Sequence, residues 1–201
     1  MQQLSQNSIT SQLKNVPFRK IEIGTGDSAI FRTLEEMKKI ITDSSQNAYV
    51  RKWAEYLVRN IKPNDKWAEA VAIHKFVRDN TRYTNDPEGM EFLQTPLYVL
   101  QQIEAHINAD GTLKQQPALD CDDSTMLSLS LLKTVGFPVA LKAISTDVNK
   151  SFNHVYGLVE ITTKTASGNL VRKYYPIDCV KRDKPFAWET NQITRTHKVK
   201  V

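Results

Sequence analysis

Apolar and polar positions recur every three to four residues through the first two thirds of the chain and alternate with a period of two from Val139 onward. Thr33-Leu-Glu-Glu36 has the form of a capping box and predicts a helix over 33–42. Tyr49, Trp53, Tyr56 and Leu57 fall on one face and predict a second helix over 48–60. Lys62-Pro-Asn-Asp65 breaks it and offers Asn64 or Asp65 as cap of a third helix over 66–80. There Trp67, Val71 and His74 share a stripe, so His74 reads as a core-edge histidine with a local hydrogen-bond partner. Asp86-Pro-Glu-Gly89 reads as a turn, and 92–100 leads into a short helix ending near His106, which reads as surface. Asn108-Ala-Asp-Gly111 is a further turn, and 111–117 an exposed loop.

The next helix opens at Cys121 with Asp120 as its N-cap. Leu127, Leu131 and Val135 form a stripe that Met126, Leu129 and Leu132 widen almost all round, as in a helix buried in mid-domain. Gly136 stops it and Pro138 prevents resumption. Strands follow over 139–144, 153–161 and 170–177, the last two joined by a hairpin through Thr163-Lys-Thr-Ala-Ser-Gly168. Near the N-terminus Phe18-Arg-Lys-Ile-Glu-Ile23 alternates as a short strand closed by Gly24-Thr-Gly26. Helices first and an antiparallel sheet afterwards give an α+β domain in which the Cys121 helix packs on the sheet.

Composition changes this picture little. Hydrophobic residues make up 40% of 201, enough for one sizeable core. The organisation predicted is a mobile polar segment over 1–16, a domain over 17–182 and a basic tail over 183–201. The apolar stretches are too short and interrupted to span a membrane, and Met1-Gln-Gln-Leu-Ser-Gln-Asn-Ser8 lacks a signal-peptide core. Cytoplasmic synthesis is expected, which leaves room for packaging into a larger assembly. The net charge is +5, with basic residues gathered at Lys181, Arg182, Lys184 and Arg195-Thr-His-Lys-Val-Lys200. These read as a solvated surface and a frayed tail; no interleaved aromatics or motif calls for a nucleic-acid partner.

Chemistry enters with the two cysteines. A thiol at a helix N-terminus gains thiolate character from the unpaired backbone N–H groups, so Cys121 is the candidate nucleophile. Asp120, Asp122 and Asp123 oppose that by like-charge repulsion. His154 opens the second of the three strands and Asp178 closes the third, and in an antiparallel hairpin those ends lie side by side. Base next to nucleophile and acid next to base is the logic of a Cys-His-Asp relay. Cys179 follows Asp178 and points to the opposite strand face, into packing. The same residue types leave alternatives open: one disulfide, a cation site at the aspartates, or zinc on Cys121, His154 and Cys179 without a CxxC-like pair. No cofactor or metal is expected.

An ordered set of segments also resembles a known family. Ala72-Ile-His-Lys-Phe-Val-Arg-Asp-Asn-Thr-Arg-Tyr83, Gln94-Thr-Pro96, Asp120-Cys-Asp-Asp123, Leu131-Leu-Lys-Thr-Val-Gly-Phe-Pro138, Asn153-His-Val155 and Tyr175-Pro-Ile-Asp178 are similar to the transglutaminase-like superfamily, above all its microbial and bacteriophage-encoded members. Leu119 stands where many relatives carry glycine. The resemblance covers about residues 30–180 and implies a papain-like α+β fold with Cys121 as nucleophile, His154 as base and Asp178 as orienting acid. It implies a thioester acyl-enzyme formed from an amide or ester of a protein or peptide substrate, resolved by water in a peptidase or amidase and by an amine in a cross-linking enzyme. The Cys121 N–H and a second donor, for which Gln94 is the candidate, would hold the oxyanion. The rival expectation is a non-catalytic structural or adaptor domain, of a phage particle or its assembly, that keeps the fold.

Overall fold

The computed structural model describes residues 18–21, 26–86, 91–108, 111–148, 151–165 and 167–201. The segment predicted to be mobile over 1–16, and the centres of the turns predicted at 86–89 and 108–111, lie outside them. The helices are α1 (Asp27–Ser45), α2 (Ala48–Val58), α3 (Lys66–Asn80), α4 (Pro96–Ala105) and α5 (Cys121–Thr134). A four-stranded antiparallel sheet follows, built from β5 (Val139–Ser145), β6 (His154–Lys164), β7 (Leu170–Ile177) and β8 (Arg195–Lys200) in the order β7-β6-β5-β8. Two ribbons complete the fold. β1 (Phe18–Ile21) pairs antiparallel with β3 (Glu91–Gln94), and β2 (Arg82–Tyr83) pairs parallel with β4 (Ala118–Leu119). The chain is thus an α+β protein.

Local chemistry explains most boundaries. Asn47 caps α2 through the N–H groups of Tyr49 and Val50, and Asp65 caps α3 through Ala68. Thr95 caps α4, with Pro96 in the first turn where its missing N–H is harmless. α5 ends in a Schellman motif: Phe137 N–H bonds the Leu132 carbonyl at 3.1 Å and Gly136 N–H that of Lys133 at 3.1 Å. Gly136 has φ of 88°, which a side chain would disfavour.

Two expectations need correction. α1 begins at Asp27, ahead of the predicted start at Thr33, because Ile30, Leu34, Met37 and Ile41 continue one stripe across the apparent capping box. The basic tail does not fray: Arg195–Lys200 pairs with β5 from Ser145↔Arg195 to Ala140↔Lys200. A run of alternating exposed charges is a common way to blunt an edge strand.

α5 is the axis of the core. Its residues from Asp122 to Leu132 are buried, and it packs against α1, α2, α3 and α4 on one side and β5 and β6 on the other. Gly157 lets α5 approach the sheet, since a Cβ there would sit 2.5 Å from Leu129 Cδ2 and 2.7 Å from Ile177 Cγ2. The outer face of the sheet buries Ala140, Ile144, Tyr156 and Leu158 under Tyr174 and Ile193. Glu189 ties down the crossing segment, accepting from Tyr156 OH at 2.6 Å and Lys142 Nζ at 2.8 Å. Among the described residues no helix is long and apolar enough to cross a membrane.

Candidate active site

The N-terminus of α5, the start of β6 and the residue after β7 meet at one end of the sheet. Asp120 fixes the first of these, its carboxylate accepting the Asp123 N–H at 2.9 Å and leaving Cys121 as first residue of the helix. Cys121 is half-buried, and its thiol donates to Asp122 Oδ1 at 3.3 Å. Asp123 is buried behind it and accepts from Gln94 N–H and Gln94 Nε2, both at 2.7 Å. Gln94 Nε2 also donates to the Ala118 carbonyl at 2.9 Å. Both amide hydrogens of Gln94 are therefore committed, and the residue braces the first turn instead of facing the sulfur.

The expected thiolate character is not what this environment gives. Burial pushes the Cys121 thiol well above its ordinary range, and the charges of Asp122 and Asp120 push it further, against a pull downward from the Val155 backbone N–H. Burial first, and then these two carboxylates, oppose the thiolate that a helix start favours. Asp123 is itself driven upward, by burial first and then by Asp120.

His154 is the first residue of β6. Its position is fixed by the neck of the β5–β6 connection, where Asn153 Nδ2 donates to Thr146 Oγ1 at 3.0 Å and Asn153 N–H to the Ile144 carbonyl at 3.0 Å. Extending the β6–β7 register one step past Gly157↔Ile177 sets Asp178 opposite Tyr156, on the face of His154 and diagonal to it. His154 Nε2 and Asp178 Oδ2 are 2.8 Å apart. A carboxylate can only accept, so Nε2 carries the hydrogen and Nδ1 is the basic nitrogen of the neutral ring. The other Asp178 oxygen accepts the Val180 N–H at 3.1 Å.

Cys121 and His154 border one cavity of about 200 Å³; His154 and Asp178 border a second, of about 760 Å³. Sequence reasoning thus named three residues that converge on this end of the sheet. It gave no role to Tyr83, which borders the larger cavity. Burial raises the Tyr83 pKa, and Cys121 when ionised and the carboxylates Asp120, Asp122 and Asp178 add to that shift. The signal available was its place at the end of the segment that closes with Thr-Arg-Tyr83, and register supplies the rest: Tyr83 pairs with the buried Leu119, two residues ahead of Cys121.

Two residues lie behind the site. His74, read as a core-edge histidine, is buried, with burial lowering its pKa, and its Nε2–H donates to the Asp178 carbonyl at 3.3 Å. Cys179 is buried, with Sγ 3.2 Å from Ser128 Oγ and 3.8 Å from the His74 carbonyl oxygen, and burial pushes its thiol up to about 12. Both cysteines are free. Among the described residues no group of three His, Cys, Asp or Glu side chains is placed to hold a metal ion.

No family model matches the chain. No curated protein matches it either. Among solved structures it is similar to a "putative cysteine protease" from Cytophaga hutchinsonii, at 12% identity and a TM-score of 0.45 over 92% of this chain and 63% of that one. It is also similar to a "putative protease" from Parabacteroides distasonis, at 13% identity and a TM-score of 0.43 over 71% of this chain. The chain spans 25% of the length of the second protein and less than two thirds of the first.

Proposed function

We propose that the protein is a transglutaminase-like thiol enzyme that cleaves amide bonds, with Cys121 as nucleophile, His154 as general base and Asp178 as the group that orients and charge-balances the imidazole. The observation that carries this reading is the 2.8 Å contact between His154 Nε2 and Asp178 Oδ2 at the rim of the cavity that Cys121 lines. It turns Nδ1 into a base of fixed tautomer beside a thiol.

The raised thiol pKa sets the order of events. The thiol keeps its proton at rest, so Sγ passes it to Nδ1 as it attacks the carbonyl carbon, not before. The Cys121 backbone N–H, at the helix start where the first donors have no intrahelical partner, would hold the developing oxyanion. Collapse of the tetrahedral intermediate breaks the C–N bond, and the imidazolium protonates the departing amine. The thioester then takes a water, whose proton goes to Nδ1, and releases the acid with the thiol restored. Water is always present as acceptor, which favours hydrolysis over cross-linking.

The rival reading, a non-catalytic domain of the same fold, draws on one observation: the thiol donates to Asp122. Labelling with a thiol-reactive acyl probe separates the two. Folded His154→Ala should label Cys121 at least about 10²-fold more slowly than wild type if the imidazole is the base. Equal rates in the two proteins would select the non-catalytic domain.

A further inference from the structure

The cavity beside Cys121 has two unlike walls. Ile30, Leu34 and Met37 from α1, Ala143 from β5, and Phe152 and Val155 form an apolar one; Asp120 and Asp122 stand near the sulfur, and Thr33, Asn153 and His154 add polar groups at the rim. Leu34, Met37, Ala143 and Val155 are buried and form the floor, while Ile30 and Phe152 are half-exposed at the mouth. The mouth is held from outside. The Arg195 guanidinium lies 4.8 Å from the centre of the Phe152 ring and pairs with Asp27, and the Phe31 ring packs 6.1 Å from that of Phe152.

Size and charge then select an occupant. An apolar cavity of roughly 150 Å³ takes up benzene, and drug-sized pockets begin near about 300 Å³. At about 200 Å³ this cavity holds one side chain of leucine or phenylalanine size. Because Cys121 is part of its wall, that side chain would sit next to the carbonyl that is attacked. Asp122 and Asp120 raise the thiol pKa through space, and the same field repels an acidic side chain. Glutamine reaching the floor would set its amide against Leu34, Met37, Ala143 and Val155, whose side chains offer no hydrogen bond.

We propose that this cavity is the acyl-side specificity pocket, and that the enzyme cuts after an uncharged apolar residue, not after Gln, Asp or Glu; the proposal rests on Cys121 being the nucleophile. It separates the chain from enzymes that take a glutamine side chain as acyl donor.

The test uses acetylated aminoacyl chloromethyl ketones that differ only in side chain: Leu, Phe, Gly, Gln and Glu. Sγ displaces chloride from the methylene carbon, and intact mass follows the adduct, with iodoacetamide as the reference that carries no side chain. The Leu and Phe reagents should react at least about tenfold faster than the Gly reagent, and the Gln and Glu reagents no faster than it. Ala143→Leu fills the floor and should bring the Leu:Gly ratio to about one; Thr33→Phe narrows the rim from the half-buried face of α1 and should do the same if the first variant does not fold. A Gln reagent that outpaces Leu, or equal rates that still depend on His154, overturns the pocket and leaves the nucleophile in place. Equal rates that are indifferent to His154→Ala overturn the nucleophile, and the pocket with it.

Discussion

Cys121 and Cys179 are both pushed above the ordinary thiol range, and burial is the first cause in each. They differ in access, since Cys121 borders a cavity and Cys179 is sealed between Ser128 and His74. A raised pKa leaves little thiolate at neutrality and more as pH climbs. Alkylation of Cys121 by iodoacetamide should therefore rise with pH through the alkaline range without a neutral plateau, and should outpace Cys179 at every pH when followed by peptide mapping. Asp178 is tested by replacement. Asp178→Asn keeps an acceptor for Nε2–H but not the charge that stabilises the imidazolium. Asp178→Ala should lower kcat/KM by about 10²–10⁴-fold and Asp178→Asn by less. Wild-type values for both would leave a Cys-His pair. His154 and Asp178 were legible because strand ends in a hairpin can be counted. The thiol pKa was not, because it depends first on how deeply the sulfur itself is buried.

Among the elements, α5 and β6 carry the tightest contact. Gly157→Ala would press a methyl group into Leu129, which is buried and has nowhere to move, so a loss of about 1–3 kcal/mol is expected in denaturant unfolding. A stability within about 0.5 kcal/mol of wild type would show that α5 can shift away. Ser130 lies on the same buried helix, and its Oγ is buried without a hydrogen-bond partner among the described residues. Ser130→Ala removes that group and improves helix propensity, so it should raise stability by about 1 kcal/mol. α3 and α5 could be read closely because their caps, the Lys62-Pro-Asn-Asp65 break and the Gly136 and Pro138 stop agree with the helical stripes between them. β8 could not: a short basic run with Val199 as its one apolar side chain carries no core of its own, and only pairing with β5 makes it a strand. The start of α1 was obscured by a capping pattern inside the helix, which the apolar stripe from Ile30 through Leu34 and Met37 to Ile41 overrides.

On the scale of the whole molecule, four helices surround a fifth, the sheet closes the remaining side, and the segment after β7 folds over the outer face through Glu189. The order of helices and strands made that α+β architecture legible. The outer cover was not, because it depends on single contacts by Glu189, Tyr174 and Ile193 instead of a periodic pattern. The arrangement brings a helix start, a strand start and a strand end to one place, and the account stands on what the thiol there does. An activated ester, the p-nitrophenyl ester of acetyl-leucine, mixed with protein and quenched in acid, should add one acetyl-leucyl group to the intact mass. Peptide mapping should place it on Cys121 as a hydroxylamine-sensitive thioester, absent in Cys121→Ala and slowed at least about 10²-fold in folded His154→Ala. No acyl group on Cys121 in folded wild-type protein, or the same rate in His154→Ala, would contradict the account.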